Sequence, residues 1–277
     1  MSRVRSDRLF FSAILGISGL YLVLIIGILW ADIWYAVSNL SFSELIGILT
    51  NDTIEASVRL TLFTCTVSAL LAVIVSLPAG YLLSRYQFRG KALLEAILDI
   101  PIVLPPLVVG LSLLILFNRL PDWGGPTFEE MLGHKMTYQV PAVILAQFTV
   151  AGAFAIRTMR NTFDQISPRT EHIALTLGCT RGRAFFTVVI PEAWRGISTA
   201  ATLAWTRSMG EFGPILVFAG AIRGKTEVLS TTVFLEISVG NLEGAVVVSL
   251  LMISIAIVVL VAVRFWDKGN VTKYYND

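Results

Sequence analysis

Charged side chains are scarce in this chain: Asp, Glu, Lys and Arg make up 14% of it, against about 25% in an ordinary soluble domain. So few charges cannot cover a water-exposed surface around a composition that is 55% hydrophobic, which excludes a soluble globular fold. Histidine and cysteine are also scarce, two of each. His134 and His172 lie far apart, and Cys65 and Cys179 form no CxxC or Cys/His spacing. A zinc site and a disulfide framework are therefore excluded on ligand count. A phosphate-binding loop is missing too. The nearest string, Gly220 to Lys225, lacks the four-residue spacing and the Ser or Thr that such a loop needs. ATP hydrolysis by this chain is not expected. No Ser is accompanied by a suitable His, so no nucleophile–base pair is expected either.

What the chain does have is long apolar runs. Lipid admits only helices and closed barrels. Barrel strands alternate in polarity over about ten residues, whereas the runs here are continuous. Six stretches, about 9–31, 56–84, 96–118, 139–160, 197–220 and 243–265, are long enough to cross a bilayer as helices. The expected fold is an all-α membrane protein with about six transmembrane helices. The first stretch follows Arg3, Arg5 and Arg8 but exceeds a signal peptide in length and lacks a small-x-small cleavage site. It is read as a retained helix. The fifth stretch contains Arg207 and Glu211, and the second contains Arg59.

Lys and Arg set the orientation. With the N-terminus inside, the inner segments hold fifteen of these residues, six of them between Arg157 and Arg195. The outer segments hold four: Arg119, Lys135, Arg223 and Lys225. Both termini are therefore expected in the cytoplasm. The chain divides into an N-terminal helix and outer segment (1–54), a core of five spans (55–265) with an inner connection at 161–196, and a short tail (266–277). The 119–138 stretch is punctuated by Pro and Gly and is expected to be a loop with a short helix.

The inner connection reads PRTEHIALTLGCTRGRAFFTVVIPEAWRG from Pro168. Pro168 opens a helix whose first turn carries Glu171, a charge that suits the helix dipole. Gly178 permits a sharp turn. Two uses fit such a helix: docking into a groove of a partner protein, or resting on lipid headgroups beside Arg169, Arg181 and Arg183. A second motif, DIPIVLPPLVVGLSLLILF from Asp99, starts a span with Pro101, Pro105 and Pro106. It either bends the helix and frees carbonyls that must face protein or water, or marks a plain helix start near Pro106. A third motif, WTRSMGEFGPILVFAG from Trp205, sets Arg207 and Glu211 four residues apart, in reach of one another on a helix. Intramembrane ionisable residues are functional candidates; a structural pair locking two helices is the other reading. Gly210, Gly213 and Pro214 thin or break that helix.

The three motifs, in this order over about residues 55–265, resemble the permease subunits of ATP-binding cassette (ABC) importers. Glu171, Ala174, Gly178, Val188, Ile190 and Pro191 match the cytoplasmic EAA loop of that class, while His172 and Ile173 depart from its small residues. The proline and GEFGP motifs are similar to those of molybdate, tungstate and sulfate permeases, most closely molybdate. The resemblance implies a type I importer permease of the inner (plasma) membrane. In such a protein the 161–196 loop contacts a separate ATPase subunit. Pro105, Pro106, Arg207, Gly210, Glu211 and Gly213 become pathway or gate candidates. It also implies an extracytoplasmic oxyanion-binding protein and a homodimer as partners. No cofactor, nucleic-acid partner or C-terminal regulatory domain is expected.

Overall fold

The computed structural model describes residues 2–120 and 125–274. The described residues form helices joined by short turns, with no strand among them. A 38-residue helix opens the chain (α1, Ser2–Asn39), followed by a short one (α2, Phe42–Leu49) that starts in a capping box between Ser41 and Glu44. Next comes α3, Asp52–Arg85, capped by Asn51. At 1.5 Å per residue its 34 residues span about 50 Å, well beyond the hydrocarbon thickness. That length explains Arg59. It sits two turns from the N-terminus, exposed and paired with Glu55, near a membrane surface rather than at mid-depth.

The proline-rich stretch becomes two helices, α4 (Lys91–Val103) and α5 (Pro106–Arg119), bent by 112° at Leu104–Pro105. Pro106 lacks the N–H that would continue α4, and the residue before a proline is driven to extended backbone; Leu104 and Pro105 have ψ of 142° and 135°. The outer loop holds a five-residue helix (α6, Phe128–Leu132) with a Thr127–Glu130 capping box, as the punctuation suggests. After α7 (Val140–Gln165) come α8 (Pro168–Thr176), α9 (Arg181–Ala184), a π-helical stretch (Phe185–Val189), α10 (Ile190–Glu192) and α11 (Trp194–Met209). Then follow α12 (Gly213–Phe218), α13 (Leu229–Ser238) and α14 (Leu242–Tyr274).

Among the described residues, four helices are long and apolar enough to span, and the bent α4–α5 pair makes a fifth candidate. The stretch expected at 197–220 is not one helix. It is split at Gly210–Phe212 between α11 and α12. Helix α14 runs on through the expected tail to Tyr274; residues 275–277 lie outside those described.

The core is the α3–α7 contact, and it is made of small residues. Ser57, Thr61, Thr64, Cys65, Ser68, Ala69, Ala72, Ser76 and Gly80 recur along the buried side of α3. Of these, Ala69 and Ala72 cluster with Ala151 and Ala155 of α7 and Gly80 lies against Met159, while Thr61 Oγ1 accepts from the Leu229 N–H of α13. Small side chains let two backbones approach where lipid provides no hydrophobic drive for association. The single proton of Ser68 Oγ is shared between the Ile144 carbonyl at 3.0 Å and Gln147 Oε1 at 3.1 Å, a polar tie between the helices. Helix α11 packs on both, and a cluster around Phe163, Met159 and Val189 closes the inner end. By contrast, α1 is exposed along almost its whole described apolar length, with Ala36 its buried residue. Lipid or another chain must cover it.

Candidate functional site

Two regions gather the residues that the sequence singles out. The first is the inner connection. Ser167 caps α8, Pro168 opens it and Glu171 lies in its first turn. The helix stops where Gly178 adopts a φ of +89°. Cys179 N–H donates to the Ala174 carbonyl at 3.1 Å and Gly178 N–H to Leu175 at 3.0 Å, the two bonds of a Schellman cap. Ala174 is buried under the helix. His172, Ile173, Thr176 and Leu177 face outward; Leu177 is 80% exposed. Ile173 and Leu177 stand one turn apart and form an apolar outer stripe.

Glu171 does not belong to that outer face. Its carboxylate turns inward, accepts a hydrogen bond from Tyr81 Oη and lies 3.7 Å from Arg85 Nε. The side chain is only 12% exposed. After the turn, Val188 and Ile190 are half-buried around the buried Val189. Pro191 is the second residue of α10 and Glu192 accepts from Thr170 Oγ1 at 3.2 Å, so α10 is tied to α8.

The second region joins the proline motif to the GEFGP motif, which lie about a hundred residues apart in sequence. Helices α5 and α12 pack through reciprocal glycine and proline contacts. A Cβ added at Gly213 would stand 2.7 Å from Pro106 Cβ, and one at Gly110 would stand 2.8 Å from Pro214 Cα. Only glycine admits this approach. Gly213→Ala is expected to lower stability by about 1–3 kcal/mol through overpacking, readable as a fall in the detergent melting temperature. An unchanged melting temperature would mean that the contact is loose.

Beside this joint the helix break places Glu211 almost fully inside, 2% exposed. Arg207, whose side chain is 40% exposed, pairs with it at 3.2 Å. The guanidinium also lies 5.3 Å from the Phe154 ring centroid, a cation–π contact. Neither Arg207 Nε nor Glu211 Oε1 has an aligned hydrogen bond, so charge attraction alone satisfies the pair. Ser230 Oγ donates to the Glu211 carbonyl at 2.7 Å and anchors the broken backbone to α13. Gly210 is exposed at the end of α11, and Pro105 and Pro106 are exposed at the α4–α5 bend.

Sequence reasoning missed Tyr81, and it counted Arg85 only as an inner charge. The available signal was their spacing: one turn apart at the inner end of α3, with the polar ends of both within reach of a loop.

The protein is thus a polytopic helical membrane protein with a short, capped helix exposed between two of its longer helices. Residues 72–270 match the family model described as binding-protein-dependent transport system inner membrane component. The chain belongs to this family; it is a permease subunit of a binding-protein-dependent transport system and a multi-pass protein of the inner membrane.

Relatives of known role agree. A sulfate transport system permease protein, CysT, of Salmonella typhimurium is 30% identical over 254 residues, 92% of this chain and 91% of that protein. The molybdenum transport system permease protein ModB of Escherichia coli K12 is 35% identical over 69% of this chain and 85% of its own length. A molybdate/tungstate permease protein, WtpB, of Pyrococcus abyssi is 34% identical over 65% and 66%. Among solved structures, a bacterial alginate ABC transporter complex has a chain that superposes with a TM-score of 0.72 at 16% identity, covering 95% of this chain and 94% of that one. The MetNI methionine ABC transporter gives 0.59 at 20% identity, covering 77% and 94%. At these identities the superpositions establish the type I permease fold.

Proposed function

We propose that this chain is the membrane-spanning permease of an ATP-driven importer for a tetrahedral oxyanion, with molybdate as its substrate. The observation that carries the importer reading is the capped α8 helix, which presents Ile173 and Leu177 outward from the side of the protein rich in Lys and Arg. An apolar stripe on a short rigid helix suits the groove of a partner protein. In this reading the partner is the ATPase subunit. Two copies of the chain form the pathway, and an extracytoplasmic binding protein delivers the anion. Both chain termini lie in the cytoplasm.

The polar groups at the helix break also fit the reading. Arg207 keeps part of its guanidinium accessible while Glu211 is held inside, so a cation is retained within the transmembrane region at limited energetic cost. Molybdate rests on the similarity of the GEFGP and proline motifs and on the relative with 35% identity. Sulfate is the second reading, favoured by the 92% of the chain that aligns with a sulfate permease protein. These anions share shape and charge, so a wide path separates them poorly and selection falls to the binding protein.

The test is elemental. Cells with and without the gene are grown at limiting oxyanion, and molybdenum, tungsten and sulfur uptake are measured. Loss of most molybdenum uptake is the expected result. A sulfur defect alone would move the substrate to sulfate and keep the importer. Unchanged uptake of all three would remove the oxyanion reading.

A further inference from the structure

The nine-residue α8 is too short to hold its own shape or position in isolation. Two side chains of α3 hold it. Tyr81 donates its hydroxyl to Glu171 of α8. Arg85, one turn further, lies 3.7 Å from the same carboxylate and donates through Nη2 to the Ile166 carbonyl at 3.0 Å. Ile166 is the cap residue of α7. The Tyr81 ring also meets Phe163 of α7 edge-on at 5.7 Å and Phe185, beyond the Gly178 turn, at 4.7 Å. So this one pair joins the end of α7, the start of α8 and the segment after the turn.

The joint behind the pair is close. A Cβ added at Gly80 would stand 2.9 Å from the Arg160 backbone nitrogen, so the backbones of α3 and α7 touch there with only a glycine between them. The path towards α11 is different. It runs through the π-helical residues Phe185–Val189, and a wider turn of this kind is where a helix bends and where functional movement is often found. A push on α8 therefore reaches α3–α7 directly through Glu171, and α11 along the chain through the π-helical residues.

We propose that Tyr81 and Arg85 are positioning residues that pass the movement of the ATPase-facing helix, through Glu171, into the α3–α7 pair as one body. The proposal rests on the importer reading. Neither residue is part of the ATPase contact itself, because both side chains lie behind α8.

The experiment uses the complete transporter, this chain with its ATPase and binding protein, in proteoliposomes. The probes are labelled molybdate and labelled sulfate, and the variants are Tyr81→Phe, Arg85→Gln and Arg85→Lys. Amide exchange across residues 169–177 should quicken about tenfold in Tyr81→Phe, the size set by losing one hydrogen bond to a charged group. Anion taken up per ATP hydrolysed should fall about fivefold in Tyr81→Phe and Arg85→Gln. Basal hydrolysis and complex assembly should hold, and Arg85→Lys should recover part of the loss. A purely structural role would lower assembly and leave the uptake-to-hydrolysis ratio alone.

Unchanged exchange in Tyr81→Phe would overturn the proposal. Faster exchange with an unchanged ratio would overturn the transmission role. A wild-type transporter that shows no ATP-linked uptake of either anion would overturn the oxyanion reading on which the proposed task rests. The exchange data would then still report on the contact between α3 and α8, which separates the two failures.

Discussion

Replacing Gly178 by valine should abolish most uptake while leaving the protein inserted in the membrane. The residue holds a φ of +89°, a region that a β-branched side chain enters only with strain. The cost comes from the backbone rather than from crowding, since a Cβ at this position would meet nothing within 4 Å. Holding valine there costs about 1–3 kcal/mol. An exposed turn relieves that strain by opening the Schellman bonds from Gly178 to Leu175 and from Cys179 to Ala174. Opening them frays the last turn of α8, which carries Leu177, and misdirects the outer stripe. Hydrolysis by the ATPase partner should then continue with uptake reduced about tenfold or more, in line with a misplacement of about 1 Å in a positioned constellation. Gly178→Asn should lose far less, because asparagine tolerates the left-handed region. The measurement is uptake and ATP hydrolysis on the same proteoliposomes. Normal transport by the valine variant would show that the turn does not position the helix. Equal damage from valine and asparagine would point to a contact of the glycine surface instead.

Arg207→Ala should harm the folded protein more than the Arg207→Ala/Glu211→Ala double substitution. Glu211 is 2% exposed and its charge is met by Arg207 at 3.2 Å. Removing the arginine strands a carboxylate inside the bundle, a loss of about 1–3 kcal/mol, less than for a fully buried pair because the guanidinium is 40% exposed. Removing both partners takes away that penalty, so the double variant should regain most of the stability. The cation–π contact of Arg207 with Phe154 is lost in both variants and cancels in the comparison. Melting temperature in detergent and the yield of monodisperse protein report the effect. A double variant as damaged as the single, or worse, would show that Glu211 is stabilised by something other than Arg207. Transport separates a lock from a lining: a double variant that folds but does not transport places the accessible guanidinium on the anion's route.

The motifs were legible one at a time. Proline and glycine act on their own backbone, so the bend at Leu104–Pro105 and the turn at Gly178 follow from local chemistry. The break at Gly210–Phe212 was less visible, because hydropathy averages over the stretch that it interrupts. Two charges, two glycines and a proline within eight residues were the sign. Glu171 was recognised by its place in the loop, but its direction was not. A residue in the first turn of a helix faces outward or inward according to what packs there, and Tyr81 is ninety residues away in sequence. The π-helical stretch at Phe185–Val189 has no composition of its own. Within it Phe185 meets Tyr81 and Val189 lies in the core, contacts with residues far away in the chain.

By itself the sequence determined that the protein is helical and lies in a membrane, and at which prolines and glycines the chain turns most sharply. These depend on composition and on single residues whose backbone limits act locally. Tertiary structure alone decided that α5 and α12 close on one another through Pro106–Gly213 and Gly110–Pro214, and that Glu171 is held by α3. The same holds for Glu211, whose carboxylate is buried beside Arg207. Those arrangements join segments far apart in the chain. They arise from which small residues let two helices touch and which polar groups then find partners, and no local period encodes that choice.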